Sequence, residues 1–326
     1  MPMKPLDVQV VEQALAWLEL GQPVWLCTVL ATFGSAPREP GSMLVATASG
    51  VFCGSLSGGC VEEDFLQRLA AGEFTPASQV VRYGEGGLAP TVALPCGGSL
   101  DVLLEHFAAD EPARAHFVAL RRALLGDRPV SRHISLGNGE PSLDDIRRHA
   151  PRVSRDQDHI CINVGPCTRL IVAGVSPVAE YCIDFAQALG FEVIVCDPRP
   201  EHLAWLQGKV PADKLLEVLP AVFIAGGGCH QATAVVALTH DPRLDDLTLM
   251  EAVRTQAFYI GAMGSARTSE KRRERLARIG RLSPEQLARV HAPIGLNLGS
   301  KTPAQIALAV MADIVRQANG VARECL

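Results

Sequence analysis

Thr168-Arg169-Leu170-Ile171-Val172-Ala173-Gly174-Val175-Ser176-Pro177 decides the fold of the second half of this chain. An apolar strand runs into a glycine and then into a proline suited to the first turn of a helix. The apolar spacing predicts a helix over 177–189 and a second strand over 191–196, which together make a βαβ unit. Asp197 ends that second strand roughly twenty residues beyond Gly174, where a Rossmann fold places the carboxylate that grips ribose hydroxyls. The glycine fingerprint itself is damaged. Val175 and Ser176 stand where G-x-G-x-x-G needs its second glycine, so the pattern argues for the fold without arguing for a dinucleotide. Val175 adds a side chain where a pyrophosphate must approach the backbone, and Pro177 removes a helix-start donor. Weak or absent NAD binding is the expectation.

Working outward, strands are predicted over 233–238 and 257–260, with a helix over 245–254 between them. Gly226-Gly227-Gly228 precedes the first of these strands and reads as a turn into it. Gly261-Ala262-Met263-Gly264-Ser265-Ala266-Arg267-Thr268 is strand, glycine turn and helix start, the arrangement that binds anions on free backbone N–H groups. Gly261, Gly264, Ser265 and Arg267 are its candidate binding residues. The helix that follows carries Lys271-Arg272-Arg273-Glu274-Arg275, read as a solvated basic face. His240 lies at the carboxyl end of a strand, the edge where open α/β sheets bind ligands. Thr302 and Pro303 are an N-cap and first helical residue for an apolar helix running to 318.

The first half turns on Ser55-Leu56-Ser57-Gly58-Gly59-Cys60-Val61-Glu62-Glu63, between a predicted strand over 51–53 and a helix over 61–71. The helix points unpaired N–H groups into the glycine turn, and its dipole favours a thiolate at Cys60. Leu94-Pro95-Cys96-Gly97-Gly98 sets a second cysteine in a second glycine turn. Either cysteine alone reads equally well as a small buried hydrophobe; two in Gly-Gly turns point to one shared site. Cys53, Cys182 and Cys196 lie within apolar elements and are expected only to pack. Arg38, in the loop 34–41, is a candidate anion ligand set against the commoner solvated arginine. Helices over 7–20 and 112–125 and strands over 24–32, 42–47, 79–83, 99–107 and 129–135 complete this half. The polar stretch 137–158 reads as an exposed linker or hairpin, with His149 and His159 solvated.

A chain of 326 residues has room for two cores. A net charge of −5 gives no basic patch for nucleic acid, and no apolar run approaches a membrane span. Met1-Pro2-Met3-Lys4 lacks the apolar stretch of a signal peptide, so a cytoplasmic protein with ten reduced cysteines is expected. No cysteine pair has CxxC spacing, so no metal-ligating set is assigned.

Several motifs in both halves resemble the XdhC/CoxI family. They are Gly34-Ser35-Ala36-Pro37-Arg38, Gly54 through Glu62, Pro95-Cys96-Gly97-Gly98, Leu238-Thr239-His240-Asp241-Pro242, Tyr259 through Ser265, and His291-Ala292-Pro293-Ile294-Gly295-Leu296. One departure stands at Gly174-Val175-Ser176-Pro177-Val178-Ala179, where the family shows Gly-Ala-Gly-His-Val-Ala. The resemblance implies an α/β protein: an N-terminal α+β domain over 1–136, a linker over 137–167 and a Rossmann-like parallel-sheet domain over 168–326. It implies a chaperone, rather than an enzyme, that binds molybdenum cofactor as cargo, in the molybdopterin or dinucleotide form. The chaperone would assist sulfuration of that cofactor and insert it into an apo molybdenum hydroxylase of the xanthine or aldehyde dehydrogenase type. A cysteine desulfurase and a second copy of the chain are further expected partners, whereas nucleic acid and membranes are not. The expected cofactor-binding residues are Arg38, Ser57, Gly58, Gly59, Cys60, Cys96, Gly97, Gly98, Gly174, Asp197, His240, Gly261, Gly264, Ser265 and Arg267. Two other readings stay open on the residues alone. One is a nicotinamide-dependent oxidoreductase built on the βαβ unit and Asp197. The other is an enzyme with Cys60 as nucleophile and His106 or His240 as its base.

Overall fold

The computed structural model describes residues 4–33, 38–88, 98–136, 141–146, 151–157, 159–239 and 241–323, and it divides into two compact units. The first, Leu6–Pro166, opens with α1 (Leu6–Glu19), β1 (Val24–Phe33), β2 (Met43–Ala46), β3 (Phe52–Gly54) and α2 (Cys60–Ala70). It continues through β4 (Ser78–Gly84), β5 (Ser99–Phe107) and α3 (Glu111–Leu124). The strands form an antiparallel sheet in the order β3-β2-β1-β5-β4. Alternate residues of a strand face opposite ways. Trp25, Cys27 and Val29 therefore share the face that α2 covers with Val61, Phe65 and Leu69. Helix α1 buries Val8, Val11, Leu15 and Leu18 at helical spacing, lies along β2 and β3, and packs on α3.

A second antiparallel sheet completes this unit: β6 (Val130–Ser135), β7 (Ser142–Asp145), β8 (Val153–Asp156) and β9 (His159–Val164), in the order β7-β6-β9-β8. The linker predicted over 137–167 thus contributes strands in its described part. Strands β7 and β8 are four residues each and mostly exposed, so they carry no apolar alternation for a sequence reading to detect. In β9, Ile160, Ile162 and Val164 do alternate inward. Arg132 of β6, with no exposed surface, ties the two sheets together. It donates to Glu105 of β5 at 2.6 Å and to Nε2 of His116 in α3 at 3.2 Å. Burial and the adjacent guanidinium hold the His116 pKa well below its ordinary value, so the ring accepts that bond as neutral imidazole.

The second unit begins at Cys167 and has the Rossmann-like architecture the sequence predicts. Its elements begin with β10 (Arg169–Ala173), α4 (Pro177–Ala188), β11 (Glu192–Cys196), α5 (Pro200–Ala204), β12 (Leu215–Leu216) and α6 (Pro220–Phe223). Then come β13 (Thr233–Ala237), α7 (Pro242–Ala252), β14 (Tyr259–Ala262), α8 (Ala266–Arg278), α9 (Pro284–Ala288), β15 (Val290–His291) and α10 (Pro303–Ala318). All six strands run parallel in the order β12-β11-β10-β13-β14-β15, which is the 3-2-1-4-5-6 order of dinucleotide-binding folds. Helices α4 and α10 pack on one face through Ala179, Ile183, Val310 and Ile314. On the other, Leu249 and Ala252 of α7 and Leu276 of α8 meet Ile171, Val235 and Ile260. With both faces covered, β10, β11 and β13 are almost wholly buried, which explains their unbroken apolar runs. No helix among the described residues is long and apolar enough to cross a membrane.

Candidate functional site

The turn 55–59 is an anion cradle, and its anion is the chain's own. The carboxylate of Glu62 accepts the N–H groups of Leu56 at 2.8 Å, Ser57 at 3.0 Å, Gly58 at 3.1 Å and Gly59 at 3.0 Å. The hydroxyls of Ser55 and Ser57 donate to it at 2.9 and 2.7 Å. Burial pushes the Glu62 pKa up, but these donors outweigh it and hold the group at about 2. The sequence predicts a bound cofactor at these N–H groups. They are engaged instead, because a glutamate three residues beyond the N-cap reaches back to the turn, as in a capping box. That spacing was the available signal. Cys60 opens α2 beside a fixed negative charge, which opposes the effect of the helix dipole on an anion there. Its side chain lies outside the described part, as do residues Cys96 and Gly97, so the predicted shared thiol site falls there too. Gly98 adjoins β5, where its carbonyl accepts the N–H of Glu85.

Half-buried Arg38 stands 3.8 Å from Asp7 of α1, which also pairs with Arg152 at 3.1 Å. His106 is exposed on β5, its ring 5.0 Å from that of Trp25. The thiols of Cys182 and Cys196 are pushed up to about 12, by burial and, at Cys196, also by Cys229. Burial likewise raises Cys53. All three are neutral packing groups, the role the sequence gives them.

In the second unit, Gly174 follows β10 at the point where strand order reverses between β10 and β13. Its φ is +82°, and an added Cβ would overlap the Thr239 methyl beyond β13, so both conformation and close approach call for glycine. Asp197 sits there with no exposed surface. It accepts the Val175 N–H at 2.8 Å and takes Arg199 through its backbone N–H at 3.0 Å and its guanidinium at 2.8 and 2.7 Å. Burial raises its pKa, yet Arg199 and the Val175 amide leave it lowered on balance. The Ser176 hydroxyl caps α4 by accepting the Ala179 N–H at 3.2 Å. Gly174 and Asp197 are thus together, as predicted, but bonded within the chain. His240 lies outside the described residues.

The neighbouring turn 261–265 is held by a network absent from the sequence reading. Arg272 is not on a solvated face: it is 2% exposed. Its guanidinium donates to Asp245 at 2.9 Å, to Asp246 at 3.1 Å and to the Met263 carbonyl at 2.9 Å. Asp245 in turn accepts the Thr239 hydroxyl at 2.7 Å, and Asp246 accepts Arg275 at 2.8 Å. One buried ionic cluster therefore joins the ends of β13 and β14 to α7 and α8. Ser265 caps α8, its hydroxyl accepting the Thr268 N–H at 3.1 Å, while Arg267 is exposed. Gly261 is closely packed, since an added Cβ would lie 2.5 Å from the Ile294 side chain.

Beside this turn a groove of about 1000 Å³ opens, walled by Met263, Gly264 and Ala266, by the loop 293–300, and by Ile306 and Ala309 of α10. Arg323 lies on its wall, donating to the Gly295 carbonyl at 2.8 Å and to Asp313 at 3.0 Å. Asp313 is shared with Arg316 at 2.8 Å and with the Tyr259 hydroxyl at 3.0 Å. Gly264 alone of the predicted site residues thus lines this cavity, while Gly174 and Asp197 sit beyond the ends of β10 and β11 in the same sheet.

An antiparallel α+β unit followed by a 3-2-1-4-5-6 parallel sheet, with a large groove beside it, defines a two-domain α/β protein of the Rossmann class. Its family is specific: the chain belongs to the XdhC and CoxI family, matching that description over residues 17–84 and the XdhC Rossmann domain over residues 170–314. It is similar to a probable xanthine dehydrogenase component of Bacillus subtilis, 28% identical over 94% of this chain and 97% of that one. It is also similar to the molybdenum cofactor insertion chaperone PaoD of Escherichia coli, 27% identical over 92% of this chain and 85% of the relative. A solved structure from Bacillus halodurans, described as a xanthine dehydrogenase, shares the fold with a TM-score of 0.70 and 23% identity, over 100% of this chain and 98% of that one.

Proposed function

We propose that this chain binds molybdenum cofactor as cargo, in the cytoplasm, and passes it to an apo hydroxylase of the xanthine or aldehyde dehydrogenase type. The observation that carries this reading is the likeness to a molybdenum cofactor insertion chaperone through both domains, over 92% of the chain. The site chemistry supports binding over proton transfer. Asp197, Asp245, Asp246 and Asp313, buried carboxylates of the second unit, are each committed to an arginine of the fold. In this reading Cys60 and Cys96, in their glycine turns, meet the soft-ligated metal during exchange of an oxo for a sulfido ligand. A cysteine desulfurase supplies the sulfur, and a second copy of the chain is a further partner.

Protein purified from a molybdenum-replete host is expected to release a pterin that mass spectrometry detects. It is also expected to raise the activity of a co-expressed hydroxylase. Cys60→Ala and Cys96→Ala should fold normally yet lose pterin or client activation. Wild-type protein that carries no pterin and leaves the client inactive overturns the proposal. Full activity in both variants removes the thiols from it.

A further inference from the structure

We infer that the second domain binds the phosphate-bearing, nucleotide-like part of its ligand in the groove beside β14, and not at the Gly174 turn where the strand order reverses. This deepens the function proposed above and rests on it for the identity of the natural ligand. At the Gly174 turn, the groups that would receive a dinucleotide already satisfy one another. The Val175 N–H is on Asp197, Asp197 is on Arg199, and the α4 start is capped by Ser176 on a helix whose first residue is proline.

Beside β14 the α8 start is also capped, by Ser265, but there it opens on a groove. The groove volume, about 1000 Å³, reaches the upper end of the range for small-molecule sites, roughly 300–1,000 Å³, so a nucleotide-sized molecule fits. Helix α8, 13 residues long, starts on its wall at Ala266. The N–H groups of Ala266 and Arg267 have no carbonyl four residues back within the helix, and the dipole there favours an anion. A second, independent feature lies directly behind Gly264 of that wall. The Ser269 hydroxyl is buried, at 5% exposure, and has no hydrogen-bond partner among the described residues. It faces Gly264 on the groove wall, 3.6 Å from where a Cβ there would sit. Such an orphan is costly unless a bound group satisfies it.

Charge agrees. Two guanidinium groups, Arg316 and Arg323, share the one carboxylate of Asp313, which leaves positive charge next to the groove. Ile294, Leu296, Ile306 and Ala309 supply apolar walls for a flat base. The chemistry selected is therefore a phosphate ester attached to a heterocycle.

Calorimetry on the full chain with cytidine and guanosine monophosphates, inorganic phosphate, cytidine and NAD tests this. At least one monophosphate should bind, and cytidine more than tenfold more weakly than its monophosphate. Arg323→Gln should weaken nucleotide binding about tenfold. Ala309→Phe, which fills the groove, should abolish it with the circular dichroism spectrum unchanged. As a check independent of folding in that variant, Ser269→Ala should weaken phosphate-bearing probes without affecting cytidine. No nucleotide binding, binding insensitive to all three substitutions, or NAD binding tighter than any monophosphate overturns the inference. Nucleotide binding by a protein that never activates a client overturns the proposed function and leaves this site standing. Client activation without nucleotide binding does the opposite.

Discussion

Replacing Arg272 with methionine isolates the ionic cluster that holds the β14 turn. The guanidinium is 2% exposed and meets two carboxylates, Asp245 with no exposure and Asp246 with 7%, besides the Met263 carbonyl. Methionine keeps much of the stem's volume and removes the charge. Asp246 retains Arg275, whereas Asp245, deep in the cluster, loses the guanidinium that meets it. Breaking such a pair costs about 3–5 kcal/mol. For a unit of this size that lowers the thermal midpoint by roughly 6–20 °C. Scanning calorimetry, following the transition of the second unit, is the assay. Arg273→Met, one residue along at an exposed position, should stay within about 0.5 kcal/mol of wild type. The double variant Arg272→Met with Asp245→Asn should recover about 1 kcal/mol or more relative to additivity, because the buried negative charge is gone as well. An Arg272→Met protein no less stable than Arg273→Met would refute the reasoning and return this helix face to solvent.

Glu62→Gln should destabilise the first unit by about 3 kcal/mol at neutral pH, the equivalent of a carboxyl lowered from 4.5 to about 2. Because the folded-state value lies below the unfolded one, the difference from wild type is complete above pH 4.5 and closes as pH falls toward 2. Denaturant midpoints against pH would show a gap independent of pH if the turn does not bind the charge. Gly174→Ala should cost about 1–3 kcal/mol through overlap with Thr239, with part regained in Thr239→Ser, which removes the methyl and keeps the hydroxyl on Asp245. Equal urea midpoints for Gly174→Ala with and without Thr239→Ser would show that the methyl is not what opposes it.

The second sheet was legible because parallel strands buried on both faces write their burial as continuous apolar runs: Leu170 through Ala173, and Val193 through Cys196. Strand β5 is found at its sequence-predicted ends, 99 and 107. Helix α7 begins at Pro242, before the predicted 245, since the helical start is fixed by the Asp241 cap and not by an apolar residue. Strands β7 and β8 escaped because they bury little. At the sites, local signals sufficed only where partners are local. Glu62 lies within seven residues of every donor it accepts, and its position three residues past the cap was visible in the sequence. Arg272 finds its carboxylates 26 and 27 residues away, across a helix packing that no periodicity announces, so its charge read as solvent exposure. Arg323 reaches the groove from the end of the chain, and only the tertiary fold puts it beside Gly295.

The Arg132–Glu105 contact bears on how the first unit is made. As the chain leaves the ribosome, Glu105 is synthesised 27 residues before the guanidinium that neutralises it. Until β6 is in place, Glu105 has no guanidinium beside it, and burying that carboxylate alone stands several kcal/mol above the finished arrangement. Because the same guanidinium also meets His116 of α3, one side chain couples a helix and both sheets, and the two sheets of this unit are expected to unfold together.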